Sequence, residues 1–429
     1  HAVRAAENRE RLLSTSAEYI GRPAGYSRLA TRFLHLSLFA TVFVSPVVMF
    51  EPAPYEAMIV LMALGCVFTG ATVDRRLLLP FFLIVLWNVG GLIALMPVIT
   101  DQDAITFVII SIYLGMSAML FACLFAQDSV RRVEIMRNAY IATAVIASII
   151  GIIGYFNLLP GSWDALTRYN RLKSTFKDPN LFGPFAILPL MFLISGALLN
   201  GLKLRHVTAG SIILVAVLLS FSRAAWAHFI FSAMLMVALM FIATPSARFR
   251  ARIATATVLS IAGVAVLVAG MLSVGHIGTV FKERASLVQD YDAGDGGRFT
   301  AQADSIPKLL ERPNGFGPYQ FHNHYGQDPH NVYLNAFASY GWLGGVSYAA
   351  LVLITLWVGY ATVLKRTPWQ QYQIAALATY TGVALEGFVI DTDHWRSYYL
   401  VMGMVWGLAI ATINAERKAH SEAHLRAAM

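Results

Sequence analysis

The chain is 429 residues long, 57% hydrophobic and 13% charged, with a formal net charge of +8. A soluble domain carries about 25% charged residues, so the composition excludes an ordinary soluble enzyme. The basic excess is no nucleic-acid footprint either, because no basic stripe with interleaved aromatics occurs on a polar segment. The apolar residues fall into blocks about 17–25 long, the length a helix needs to cross a bilayer core. That pattern predicts an all-α polytopic membrane protein.

In chain order, residues 1–31 read as a cytoplasmic segment, and their polar character leads us to expect no cleavable leader within them. Nine transmembrane helices are expected within 32–273, at 32–50, 55–73, 77–98, 104–126, 137–158, 181–199, 206–221, 224–244 and 252–273. A large periplasmic loop domain follows at 274–330, between helices nine and ten. Inside it, "RFTAQADSIPKLLERP" reads as a short helix bent near Pro307, and "NGFGP" as a tight turn. Three more spans, 333–363, 371–390 and 398–414, fill residues 331–414, and 415–429 is a cytoplasmic tail. The tenth span is too long for one perpendicular crossing, so a first turn outside the bilayer or a tilt is expected.

Orientation follows from Lys and Arg, which stay cytoplasmic beside short loops. With about twelve spans and both termini inside, Arg4, Arg9, Arg11, Arg22, Arg28 and Arg32 are cytoplasmic. So are Arg75/Arg76, Arg131/Arg132/Arg137, Lys203/Arg205, Arg248/Arg250/Arg252, Lys365/Arg366 and Arg417/Lys418/Arg426. Cys66 and Cys123 lie inside apolar blocks with no metal or redox spacing, and read as small buried hydrophobes.

Four polar groups remain at the outer ends. Arg223, in "LLSFSRAAWAHF", is either a snorkelling anchor or a fork for an anion, with Ser220 and Ser222 beside it. Arg168, Arg171, Lys173 and Lys177 precede "DPNLFG", where Asp178 or Asn180 can cap a helix. Four outward cations ahead of a helix N-terminus make an anion-attracting surface.

The stretch "DPHNVYLNAFASYGWLGG" places His330 at the mouth of a span with Asn331 as a cap. A histidine held there can serve as a general base. Gly341 and Gly344 lie three apart, a spacing that suits close helix packing. Asp391, Asp393, His394 and Arg396 crowd one short loop, either as a solvated turn or as an ion-paired wall of the same site. A metal site there would lack an octahedral oxygen shell. Asn88 and Glu386 are the main intramembrane polar residues, and Glu386 is placed to pair with an arginine or carry a proton.

"HNVYLNAFASYGWLG" fits His-Asn, nine residues, then Gly-x-x-Gly. It resembles the signature of the bacterial O-antigen ligase and O-antigen polymerase superfamily. "FKDPNLFG" opening a span, the isolated "SRAAW" arginine and a large loop with "GGRF" and "ERPNGFGP" are similar to that family too.

The resemblance implies a metal-independent membrane glycosyltransferase of type C architecture, with no cofactor. Its donor would be a glycan on undecaprenyl diphosphate, and its acceptor the lipid A core or another lipid-linked glycan. It implies that Arg223, Arg298 and one of the 168–171 arginines, preferably Arg171, hold the diphosphate, with His330 near the acceptor. Lys173 and Asn331 join that set on residue chemistry, with Asp178, Asn180, Asp393, His394 and Arg396 in support. "DTDHWRS" is outside the family pattern and leaves ligase against polymerase open. A transporter of an anionic substrate, with Glu386 as its proton carrier, or a partner-binding scaffold are the other readings.

Overall fold

A computed structural model describes residues 28–49, 53–285 and 297–428. Arg4, Arg9, Arg11 and Arg22, the end of the first expected span, residues 286–296 of the expected loop domain and Met429 lie outside the described residues. The side chain of Arg426 does too.

Each expected span is helical. The elements are α1 (Arg28–Val44), α2 (Pro54–Phe68), α3 (Leu78–Leu95), α4 (Gln102–Phe125) and α5 (Ser129–Tyr155). Then come α6 (Ser162–Leu166), a two-stranded antiparallel hairpin of β1 (Thr167–Arg168) and β2 (Arg171–Leu172), α7 (Pro179–Phe185) and α8 (Ile187–Asn200). After them run α9 (Leu204–Leu219), α10 (Arg223–Ala243), α11 (Ala247–Leu272) and α12 (Gly275–Ala285). The chain ends with α13 (Arg298–Leu310), α14 (Gln320–Tyr325), α15 (Val332–Val363), α16 (Gln370–Glu386) and α17 (Arg396–Ala428).

Eight helical stretches among the described residues are long and apolar enough to cross a membrane, which makes this a multi-pass membrane protein. They lie at α3, α4, α5, α7 with α8, α10, α11, α15 and α17. The other four expected spans are helices of 15–17 residues: α1, α2, α9 and α16.

Helix starts follow the local sequence. Asp101 accepts from Asp103 N at 2.9 Å and Ala104 N at 3.3 Å, capping α4. Pro54 opens α2, where its missing N–H costs nothing. Within the bundle α17 is the spine, with every residue from Tyr398 to Thr412 buried. It packs on α4 through Gly403 and Gly407, where an added Cβ would meet Ala118 O at 2.5 Å and Ala122 O at 2.7 Å. Small residues let helix backbones approach closely in this way. At the other extreme, α11 buries only Ile253 and turns Val258, Ile261 and Val266 outward, as a lipid-facing helix must.

The basic loops gather at one end of the helices. Arg76 bonds Asn414 at 2.7 Å, Arg137 bonds Tyr372 at 2.9 Å and Lys365 bonds Glu416 at 2.7 Å. His330, Asn331, Glu386 and the 391–396 loop lie at the opposite ends of α15, α16 and α17.

Gly341 overturns one expectation. It is no packing residue on a continuous face, but a break in α15 at φ 67°, ψ −172°. An unbroken helix would run a bond from Trp342 N to Ala338 O. Instead the turn at Pro313–Gly317 inserts between them. Trp342 N donates to Pro313 O at 2.8 Å, and Ala338 O accepts from Phe316 N at 2.7 Å. The inserted backbone thus satisfies the groups the break frees, as irregular structure beside a membrane requires. Gly344 does pack closely: a Cβ on Gly90 of α3 would lie 2.6 Å from its nitrogen. This long span is therefore two helical pieces meeting at Gly341 rather than one continuous helix.

Candidate functional site

The hairpin turns through Tyr169 and Asn170, both at positive φ (54° and 56°), which matches a two-residue turn between twisted strands. It delivers Arg171 to the junction of α9 and α10. Arg171 Nε donates to Ser220 O at 2.8 Å, and its Nη2 to Asn180 Oδ1 at 2.6 Å. One guanidinium therefore ties the hairpin both to the carbonyl end of α9 and to the first turn of α7. Asp178 caps α7 by accepting from Asn180 N at 2.9 Å, and lies 3.7 Å from Arg168.

Lys173 donates to Ala165 O at 2.7 Å. Burial, then Arg168, holds its pKa below the ordinary lysine value. Arg223 opens α10 directly after Ser222, whose Oγ accepts from Ala225 N at 3.4 Å. Arg171 and Arg223 thus flank the same short turn, Ser220–Ser222, from opposite sides in sequence.

The second group surrounds the start of α15. Asn331 caps it as expected, accepting from Tyr333 N at 3.0 Å and Leu334 N at 3.2 Å. Its own amide donates to Phe388 O at 3.2 Å, and Val332 N donates to Gly387 O at 2.8 Å. Gln302 of α13 donates to His330 O at 3.3 Å and to Phe388 O at 3.1 Å.

These bonds lock His330 at φ 45° between α13 and the end of α16. Its side chain is exposed, while Arg298 of α13 is half-buried. Desolvation by the surrounding loop, then the Arg298 guanidinium, holds the His330 pKa below 6.5, with Asp328 pulling the other way and His322 adding to the depression. A neutral imidazole at pH 7 is the form a general base needs.

The two groups share one mount. His228, five residues after Arg223 in α10, lies 2.8 Å from Glu386 Oε2 of α16, with both side chains 1% exposed. Its Nε2 is 3.0 Å from Thr379 O. A carbonyl only accepts, so Nε2 carries a proton and a further proton bridges Nδ1 and Glu386. The residues directly after Glu386 supply the carbonyls that hold Asn331, Val332 and Gln302. Of the two readings of Glu386, an arginine partner or a proton carrier, the first gives way to a histidine partner. The sequence signal was present, since an ionisable residue within an apolar span is a functional candidate by default. Gln302 had no such signal.

The 391–396 segment divides. Arg396 turns to α2, where its Nε donates to Glu56 Oε1 at 3.0 Å, so it anchors α17 rather than walling the site. Asp393 and His394 stay with the His330 loop. His394 Nδ1 lies 3.2 Å from Asp393 Oδ2, and Nε2 donates to Phe107 O at 3.1 Å. Burial opposes a charge on this ring, but Asp393 and the Phe107 carbonyl outweigh it and raise its pKa. Beside them a cavity of about 190 Å3 is lined by Asp328, Asn335, Ser339, Asp391, Asp393 and His394.

A family model described as O-antigen ligase matches residues 208–349. The matched segment is about a third of the chain and carries Arg223, Arg298, His330 and Asn331; over it the chain is similar to the O-antigen ligase family. Among curated proteins, no relative matches the chain. The match and the apolar helices together support a ligase- or polymerase-like membrane enzyme.

Proposed function

We propose that the protein transfers a glycan from undecaprenyl diphosphate to a hydroxyl of an acceptor, the lipid A core, on the periplasmic face of the inner membrane. A single observation supports this most: α13, which Arg298 opens, is tied to His330 by Gln302, whose amide donates to His330 O at 3.3 Å, and both groups lie inside the family-matched segment. One group stabilises negative charge and the other accepts a proton. That is the pair of tasks glycosyl transfer from a diphosphate sets.

In this reaction the acceptor oxygen attacks the anomeric carbon and the carbon–oxygen bond to the diphosphate breaks. The electron pair leaves with undecaprenyl diphosphate, and the acceptor proton passes to His330. Guanidinium groups, rather than a metal ion, carry the developing charge in this reading, through bidentate contacts that strengthen as the bond breaks. Arg223 and Arg298 are the principal groups. Arg171, with Lys173 beside it, shapes the same face by holding the α9–α10 turn.

The test uses purified protein, an undecaprenyl-diphosphate glycan and candidate acceptors, with product mass measured. His330→Ala should lower the rate about 100-fold or more, and Arg298→Ala by a similar factor. Normal product from both variants would remove the proposal. In cells the ligase version leaves long chains on the carrier when the protein is inactivated. A polymerase version leaves single units.

A further inference from the structure

The 190 Å3 cavity lined by Asp328, two residues before His330 in the chain, has chemistry that the transfer step does not use. Three aromatic rings complete its lining: Phe107 of α4, Tyr319 and Phe321. Phe107 and Tyr319 meet edge to face at 5.0 Å, and Tyr319 is 52% exposed. The rest of the lining is carboxyl, amide, hydroxyl and imidazole groups, with Ser339 Oγ donating to Asn335 Oδ1 at 3.0 Å. A drug-sized pocket occupies roughly 300–1,000 Å3, so this one fits a single ring. Aromatic rings and dense donors and acceptors on one small cavity match one ligand class, a sugar, whose ring has an apolar face and a hydroxylated edge.

An unmade bond marks the polar side. Asp391 Oδ1 is shielded from solvent and has no hydrogen-bond partner among the described residues. A buried polar atom calls for a partner, and a hydroxyl supplies one. Burial, then Asp393 and Asp328, pushes the Asp391 pKa up to about 8, against His394 and Arg298. At neutral pH this carboxyl keeps its proton and can both donate and accept.

Charge adds selectivity. His394 neutralises Asp393 and Asp391 keeps its proton, which leaves Asp328 as the negative charge on the lining. A carboxylate on the ligand would face like charge at close range, a penalty that excludes as well as any clash.

We propose that this cavity holds the accepting sugar ring, and that it selects an uncharged or amine-bearing sugar over an acidic one. The assignment to the acceptor rests on the reading of His330 as base, because Asp328 and Asn335 bracket that residue in the chain.

The experiment is saturation-transfer NMR on full-length protein in detergent. Its probes are methyl N-acetylglucosaminide, methyl galactoside and methyl glucuronide. The two neutral glycosides should bind saturably at pH 7, and the glucuronide about ten-fold more weakly. Asp391→Leu and, at the exposed rim, Tyr319→Ala should each weaken neutral binding about ten-fold. Asp328→Asn should strengthen glucuronide binding.

Equal affinity for all three probes, no binding in the millimolar range, or neutral binding indifferent to both variants would overturn the inference. Quenching of tryptophan fluorescence by undecaprenyl diphosphate is measured on the same samples. If that lipid fails to bind wild type while sugar selection holds, the transfer reaction falls and the sugar site stands.

Discussion

Replacing Gly341 with alanine tests whether the loop turn and α15 form one structure. At φ 67°, ψ −172° the position suits glycine alone, and a side chain there costs about 1–3 kcal/mol. The added Cβ would also lie 2.7 Å from Pro313 O and 2.8 Å from Asn314 C, both backbone atoms with no freedom to swing aside.

The chain can escape by expelling the turn and straightening the helix. That loses the bonds from Phe316 N and Gly317 N to Ala338 O and from Trp342 N to Pro313 O and regains one helical bond, a net loss of about 1–2 kcal/mol. It also exposes Phe316, now 7% exposed, at about 2 kcal/mol. The two routes have similar costs, so a loss of roughly 3 kcal/mol is expected. Gly263, whose added Cβ meets nothing within 4 Å, is the control and should tolerate alanine.

Thermal denaturation in detergent and proteolysis of the 298–325 region read out the difference. A Gly341→Ala protein as stable and as protease-resistant as wild type would refute the wedge. So would an equal effect from Gly263→Ala.

Three further outcomes are expected. Arg298 lowers the His330 pKa, so transfer should fall on acidification below pH 6.5, and Arg298→Gln should move that acidic limb upward; an unmoved limb in a pH–rate profile separates the two groups. Asp391 binds its proton more tightly folded than unfolded, since its pKa rises from 3.8 to about 8. It therefore subtracts stability as pH climbs through that interval, and Asp391→Asn should flatten the decline of melting temperature; an unchanged slope would contradict its burial. His228→Ala or Glu386→Gln leaves a buried partner uncompensated, at about 3–5 kcal/mol. The double variant should cost clearly less than the sum, and simple additivity in a double-mutant cycle would rule out the pairing.

What the sequence conveyed follows from what is local. Apolar blocks translate directly into helices because every backbone group in a bilayer must bond within its own segment. Asn331 was readable as a cap because its acceptors lie two and three residues on. Gly341 misled because its spacing from Gly344 suits a packed face, while its dihedral angles depend on a turn docking from elsewhere.

Distance in sequence hid the rest. Arg396 finds Glu56 across 340 positions, and His228 finds Glu386 across 158. Nothing in the neighbourhood of either arginine or histidine announces which carboxylate it will meet. The cavity was invisible for the same reason, since its lining comes from α4, the loop before α15, α15 itself and the loop before α17.

The turn lodged in the broken helix bears on how the protein is made. Synthesis delivers Pro313–Gly317 before Gly341, so the plug exists before the gap it fills. A bent α15 with bare backbone groups in lipid would be costly, whereas the same helix closed around a waiting turn is not. Bilayer integration of this segment and folding of the loop ahead of it become a single maturation step, and neither half is a natural place to cut the protein for separate expression.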